Sequence, residues 1–443
     1  MHTPIINTPC GPIQGLYDAE NKINLFQGIR FATAARFEYP KKVTHWEGTY
    51  QADHFGPAAF QESSFVEPNP NDFYEKEFYN GETRTYSEDC LFLNIWAPRD
   101  AANAPVLVYI HGGAFNHGYS YEKPFDGTEY CKRGIIVVTI SYRLHVFGFL
   151  TLPELKDENG HVGNYALFDQ MTALSWIQDN ISAFGGNPEK VTLSGQSAGA
   201  MSVQLHCVSP LTNGLFHRAI MFSGGGVSEP SRHTKTLDNQ YALSAQYMKH
   251  LGIQTVEELK QLDAKTLTLG YLDMCRELPE GEDFCRPVID DFFLPESEYA
   301  LAEKGLHKNI PYMLGTTSED IIPELLYPMA KDWAKRQYVQ NRQPAYHYYF
   351  SRQLPGDHKG AWHSADLWYI FSTLKKCWRP FTDWDYQLSD LFVNYIADFA
   401  KTGNPNGTNS VEWKSYGAVG GTLEFGNSEL RFQTLDDNEE KRK

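Results

Sequence analysis

The sequence predicts an α/β fold built on a largely parallel sheet, and three observations carry that expectation. Four short apolar, β-branched runs occur, PVLVYI (105–110), IIVVTISY (135–142), KVTLSG (190–195) and RAIMFSG (218–224), each followed by Gly-rich or polar residues. Each is too short for a helix and none alternates, which is the pattern of strands buried on both faces. Between the second and third lies GNYALFDQMTALSWIQDNISAFGG, where Leu167, Met171, Leu174, Ile177 and Ile181 recur at helical spacing and Gly185–Gly186 mark a stop. Strand, helix and strand in one sheet require a right-handed crossover.

The remaining elements follow in order. Residues 60–86, FQESSFVEPNPNDFYEKEFYNGETRTY, are rich in aromatics, acids, Pro and Asn and read as a long surface loop of the kind that carries function. Residues 232–275 read as helices without strands, through YALSAQYMKHLG and TVEELKQL. PYMLG (311–315) and AYHYYFS (345–351) return as strands, and SDLFVNYIADFAKTG forms an amphipathic helix ended by Gly403. No repeat, low-complexity tract or linker divides the chain.

Composition narrows the function. The 443 residues carry a net charge of −16 and no basic stripe, which excludes a nucleic-acid partner on electrostatic grounds. No run approaches eighteen apolar residues, so no membrane span is expected. The start, MHTPIINTPCGPIQG, lacks the pattern of a signal peptide. Seven scattered cysteines without C-x-x-C point to free thiols in a reducing compartment, so a cytoplasmic location is expected. No H-E-x-x-H or paired Cys/His spacing suggests a metal, and no cofactor is expected. Oligomeric state is not legible.

Two segments carry chemistry. In VTLSGQSAGA (191–200) a strand runs into Gly195-Gln196-Ser197-Ala198-Gly199 and a helix-forming run follows. Such a turn projects the Ser197 hydroxyl from the sheet edge, with the helix N-terminus and its N–H groups behind it. The strand PVLVYI ends in His111-Gly112-Gly113-Ala114-Phe115, where small residues let backbone N–H groups approach a developing oxyanion. A tight turn that merely needs glycine explains either loop alone, but less readily two loops at neighbouring strand ends. A serine hydroxyl needs a base, and eight downstream histidines (His206, His217, His233, His250, His307, His347, His358 and His363) leave the choice open.

The chain resembles the type-B carboxylesterase/lipase family of α/β-hydrolases, which includes bacterial para-nitrobenzyl-type esterases and the cholinesterases. The likeness runs nearly end to end: FQGIRFA (26–32), SEDCLFLNIWAP (87–98), HGGAF (111–115), SYRLHVFGFL (141–150), the stretch 163–200, LFHRAIMFSG (215–224) and FAKTGNPNG (399–407). It implies one α/β-hydrolase catalytic domain over 1–443, with helical cap insertions at roughly 226–300 and 321–345. It implies Ser197 as nucleophile and an oxyanion hole of the N–H groups of Gly113, Ala114 and Ala198, with Gly112 permitting the turn. GAWHSADLWYIF (360–371) matches the family's histidine motif at His363, with Ser364 for the usual Gly and Asp366 at the later acidic position. The family acid lies five residues after a strand-ending Gly; from Gly315 that register reaches Asp320, and Glu319 is the alternative acid. His358 is off register, and His347 reads as a packing or surface residue of its strand.

Two departures from the family pattern carry expectations. Only 42 residues separate Asp320 from His363, so part of the usual helical entrance is missing. A trimmed cap and a more open site are expected, walled partly by 60–86 and with specificity residues from 116–122 and 224–300. Cys90, often bridged in the family, has no cysteine near FGPAAFQ. The expected activity is cofactor-independent hydrolysis of small carboxylic esters, of short acyl chains, through an acyl-enzyme. The alternatives are a specialised esterase of aryl, lactone or xenobiotic esters, or a non-catalytic, adhesion-type member. The intact Ser, His and acid set argues against the last.

Overall fold

The apolar runs become the strands of a single large sheet in a computed structural model that describes residues 1–227, 234–279, 284–407 and 411–434. The sheet comprises β1 (Leu16–Asp18), β2 (Ile23–Arg30), β3 (Phe92–Pro98), β4 (Ala104–Ile110), β5 (Ile136–Ile140), β6 (Gly186–Gln196), β7 (Arg218–Phe222), β8 (Tyr312–Thr317), β9 (Ala345–Phe350), β10 (Thr422–Phe425) and β11 (Leu430–Gln433). Its order is β11-β10-β9-β8-β7-β6-β4-β5-β3-β2-β1. From β10 to β5 every neighbouring pair is parallel; antiparallel pairs close both ends. Every residue of β5 and β8 is buried, as strands covered on both faces are.

Helices cover the two faces: α1 (Tyr165–Asn180), α2 (Ala198–Val208), α3 (Leu237–His250), α4 (Ala264–Glu277), α5 (Pro323–Val339) and α6 (Asp383–Thr402). α1 is buried almost all round, and Gly185 at φ +85° ends the short 3-10 turn after it. Asp169 on α1 takes the Arg143 guanidinium in a buried pair, with Nη2 at 2.7 Å and Nε at 2.8 Å, which clamps the segment after β5 onto the helix. A capping box between Thr382 and Asp385 starts α6, and Gly403 at φ +81° stops it.

Three segments differ from the sequence reading. Residues 232–275 are helical but not free of strand: Lys235–Thr236 pairs in parallel with Val288–Ile289, a pairing between distant segments that no local pattern reports (residues 232 and 233 lie outside the described residues). The loop 60–86 is not all surface, because a π-helical turn at Glu75–Tyr79 buries Glu77 and Phe78. Segment 321–345 is mostly α5, which packs against β8 and β9 as the crossover that two parallel neighbours require.

The register lines up the strand ends that matter. Gly195 of β6 sits beside Ile110 of β4 and Met221 of β7, and Phe222 sits beside Gly315 of β8. The segments that follow, His111–Phe115, Ser197, Ser223 and Ser318–Asp320, therefore leave the sheet at one carboxyl-terminal edge, where open parallel sheets bind their ligands.

Candidate active site

Ser197 occupies the junction between β6 and α2 with φ +56° and ψ −125°, a conformation that is strained for any residue but glycine. Its N–H donates to the Phe222 carbonyl at 2.9 Å, which fixes the turn against β7. The flanking glycines are required by space. A Cβ on Gly195 would lie 2.5 Å from the Gly199 carbonyl group, and one on Gly199 would lie 2.1 Å from the Ile110 oxygen.

The loop after β4 packs against this turn. A Cβ on Gly112 would meet the Gln196 oxygen at 2.8 Å and the Ser197 Cβ at 3.1 Å. The positive φ angles fall on Gly113 (+97°), Ala114 (+50°) and Phe115 (+59°). The sequence reading assigned the turn to Gly112; its small size instead lets the serine turn back onto the loop. The N–H groups of Gly113 and Ala114 donate to no acceptor among the described residues, and Ala198 opens α2, where an amide has no intrahelical partner. His111 is not a base here: burial pushes its imidazole down to about 4, and the ring stacks on Tyr142 with centroids 4.4 Å apart.

His363 and Asp320 arrive from the far side. His363 Nδ1 bonds to Asp320 Oδ1, and both side chains are buried. Asp320 also accepts the N–H groups of Ile321 at 3.0 Å and Thr317 at 3.2 Å. Burial opposes its ionisation, but the hydrogen bond and charge of His363 outweigh it and hold the carboxyl below its ordinary range. Glu319, the alternative acid, points elsewhere: its Oε2 accepts the Ala361 N–H at 2.7 Å. Among the other downstream histidines, His206 meets Gln170, His307 meets Gln337, and His347 is buried against Thr422 Oγ1 at 2.9 Å. His358 is exposed, and His233 lies outside the described residues.

Ser197 and His363 line one cavity of about 160 Å³. Tyr74, Phe78 and Tyr79 of the 60–86 loop form one wall; His117, Glu122, Phe125, Ile321 and Leu367 complete it. Residues 224–300 contribute no lining among the described residues, because α4 packs on the segment 145–149 and on the 62–64 turn instead.

Sequence reasoning passed over three residues. Gln196, within the serine turn, places its Nε2 3.1 Å from His363 Nε2 and 2.8 Å from Ser364 Oγ. An amide N–H can donate only to an unprotonated ring nitrogen, so this pairing fits the tautomer whose Nδ1–H faces Asp320. Ser197 Oγ itself makes no hydrogen bond among the described residues. Glu122 shares the cavity, and Glu77 pairs with Arg379 behind the aromatic wall. No local motif marks these last two.

None of the seven cysteines forms a disulfide. Among the described residues no helix is long and apolar enough to cross a membrane, and no cluster of His, Cys, Asp or Glu could hold a metal.

Comparisons with known proteins agree with this architecture. The profile of the Carboxylesterase family matches residues 2–337 and 320–440. Para-nitrobenzyl esterase of Bacillus subtilis (strain 168) is 31% identical over 479 residues, covering 94% of this chain and 93% of that protein. Liver carboxylesterase 1 of Oryctolagus cuniculus is 27% identical over 542 residues, covering 98% and 92%. A solved PNB esterase superposes with a TM-score of 0.87 at 27% identity, covering 99% of this chain and 98% of that one. The fold is that of the α/β-hydrolases, and with both matches spanning nearly the whole length, the chain belongs to the carboxylesterase family and is a carboxylic ester hydrolase.

Proposed function

We propose that this protein is a serine esterase of small carboxylic esters that works through an acyl-enzyme formed on Ser197. His363 takes the Ser197 proton as Oγ attacks the ester carbonyl, and Asp320 holds the imidazole in the required tautomer and stabilises the imidazolium. The N–H groups of Gly113, Ala114 and Ala198 receive the oxyanion, each donor contributing about 2.7–4 kcal/mol to the transition state. His363 returns its proton to the leaving alcohol; a water activated in the same way then frees the acid and Ser197.

The observation that carries this reading is the position of His363: one ring nitrogen is engaged by Asp320, and the ring shares a cavity with the strained Ser197. The cavity, of about 160 Å³, supports short acyl chains or a single ring, since a space of that order holds about one benzene. Ser197→Ala should abolish turnover of p-nitrophenyl acetate. Across p-nitrophenyl esters of increasing length, kcat/KM should peak at short chains. Ordinary activity in Ser197→Ala removes the nucleophile assignment, and a steep optimum at long chains removes the short-chain assignment.

A further inference from the structure

Glu122 is an acid that the triad does not use, placed in the cavity that the triad opens into. It is only 6% exposed. Its Oε1 accepts the Tyr119 N–H at 3.1 Å and lies 3.4 Å from the Tyr79 hydroxyl. Its Oε2 has no hydrogen-bond partner among the described residues, and is not one of the side-chain oxygens sealed off from solvent.

The groups around it do not neutralise a carboxylate. From the 60–86 loop come Tyr79 and Arg84, and Arg84 is engaged with Glu75 at 3.4 Å while its guanidinium lies over the rings of Tyr79 and Tyr119. From the loop after β4 come Tyr119, His111 and His117, and burial pushes both imidazoles toward the neutral form. Tyr109 of β4 and Tyr142 after β5 also face it, and burial raises both phenols. Burial pushes the Glu122 carboxyl up to about 8, with the Tyr119 N–H, Tyr79 and Arg84 only partly opposing it.

A neutral carboxyl has one oxygen that accepts and one that carries the proton. The oxygen facing two donors, Oε1, is the acceptor, so the proton sits on Oε2, the oxygen without a partner. We propose that Glu122 is the polar anchor of the substrate pocket, donating from Oε2 to an acceptor oxygen on the substrate. The favoured substrates are then short esters bearing an ether or keto oxygen, rather than hydrocarbon esters of the same length. The proposal rests on the ester-hydrolase reading and adds a substrate class to it.

Isosteric pairs test it: p-nitrophenyl methoxyacetate against butyrate, p-nitrophenyl 3-methoxypropionate against valerate, and 2-methoxyethyl acetate against butyl acetate. Each ratio of kcat/KM is divided by the ratio for hydroxide hydrolysis, in wild type, Glu122→Gln and Glu122→Met. Glutamine keeps an acceptor for the Tyr119 N–H and a donor toward the cavity; methionine keeps only the bulk. For at least one pair, wild type and Glu122→Gln should favour the oxygen-bearing ester by about fivefold to tenfold, the worth of one neutral hydrogen bond. Glu122→Met should bring that ratio near one. The wild-type preference should fall as pH passes about 8, while that of Glu122→Gln stays flat. Ratios near one in wild type for every pair overturn the proposal, as does an undiminished preference in Glu122→Met. If Glu122→Met does not fold, a wild-type preference as flat with pH as that of Glu122→Gln overturns it. Failure of wild type to hydrolyse butyrate above the level of Ser197→Ala is a different result and counts against the esterase reading itself.

Discussion

Glu319 Oε2 accepts the Ala361 N–H at 2.7 Å, two residues before His363, and an isolated bridge pairs Glu319 with Trp362. Of two adjacent acids, one therefore pins the histidine loop while the other, Asp320, meets the imidazole. Gly360 is part of the same fit, since a Cβ there would lie 2.6 Å from the Glu319 carboxyl carbon.

This division predicts unequal effects. Asp320→Asn should lower kcat by about 10³–10⁴, because an amide neither selects the Nδ1–H tautomer nor stabilises the imidazolium. Glu319→Gln keeps an oxygen for the Ala361 N–H and should lower kcat less than about tenfold. Steady-state kinetics on p-nitrophenyl acetate decides it; the reverse order would make Glu319 the triad acid.

Gln196 offers a different handle. Its amide lies 3.1 Å from His363 Nε2, so Gln196→Glu would put a carboxylate against that imidazole. An opposite charge at that distance favours the imidazolium. The acid limb of the kcat/KM profile should move to higher pH by about one unit, and a limb that stays put would show that Gln196 does not address the imidazole.

The aromatic wall depends on a buried ion pair. Arg379 Nη2 meets Glu77 Oε1 and Asp357 Oδ2, each at 2.7 Å, and the side chains of Glu77 and Arg379 have no exposed surface. Glu77→Gln leaves a buried guanidinium only partly compensated and should cost about 3 kcal/mol, the low end for such pairs because Asp357 remains. Glu77 lies between Tyr74 and Phe78, so KM for p-nitrophenyl esters should rise as well. Thermal unfolding and kinetics measured together separate this from a purely local change.

Asp366 predicts a pH dependence of stability. Burial pushes its carboxyl up to about 7, although the Tyr348 hydroxyl donates to it at 2.9 Å. Between its ordinary range and about 7 the folded state keeps a proton that the unfolded chain has lost. Stability should therefore fall as pH rises through that window. Asp366→Asn does not titrate: it should match wild type near pH 4 and exceed it by a few kcal/mol near pH 8, on the order set by the shift. Melting temperatures across that range check it, and parallel curves for the two proteins would count against it.

Much of this was legible in residue order because it is local. Apolar runs announce strands buried on both faces, and β5 is such a strand. Gly195 and Gly199 around Ser197 announce a turn too crowded for a side chain, which is what their surroundings require. The fold and the family follow from signals of this kind repeated along the chain. Less legible was the 60–86 loop, where acidity suggested a solvated segment. Glu77 is buried because Arg379, about 300 residues later, arrives beside it.

Sequence by itself determined the strand–helix alternation, the serine turn, the small-residue loop at His111–Phe115 and the family to which the chain belongs. Only the tertiary structure decided which of Glu319 and Asp320 turns toward His363, that Gln196 reaches the imidazole, and that Glu122 opens onto the cavity beside Ser197. The physical reason is one of range. Hydrophobic period and backbone sterics act over a few neighbouring residues and are written in their order. The direction of a side chain at a sheet edge is settled by strand register and by loops that meet across the fold.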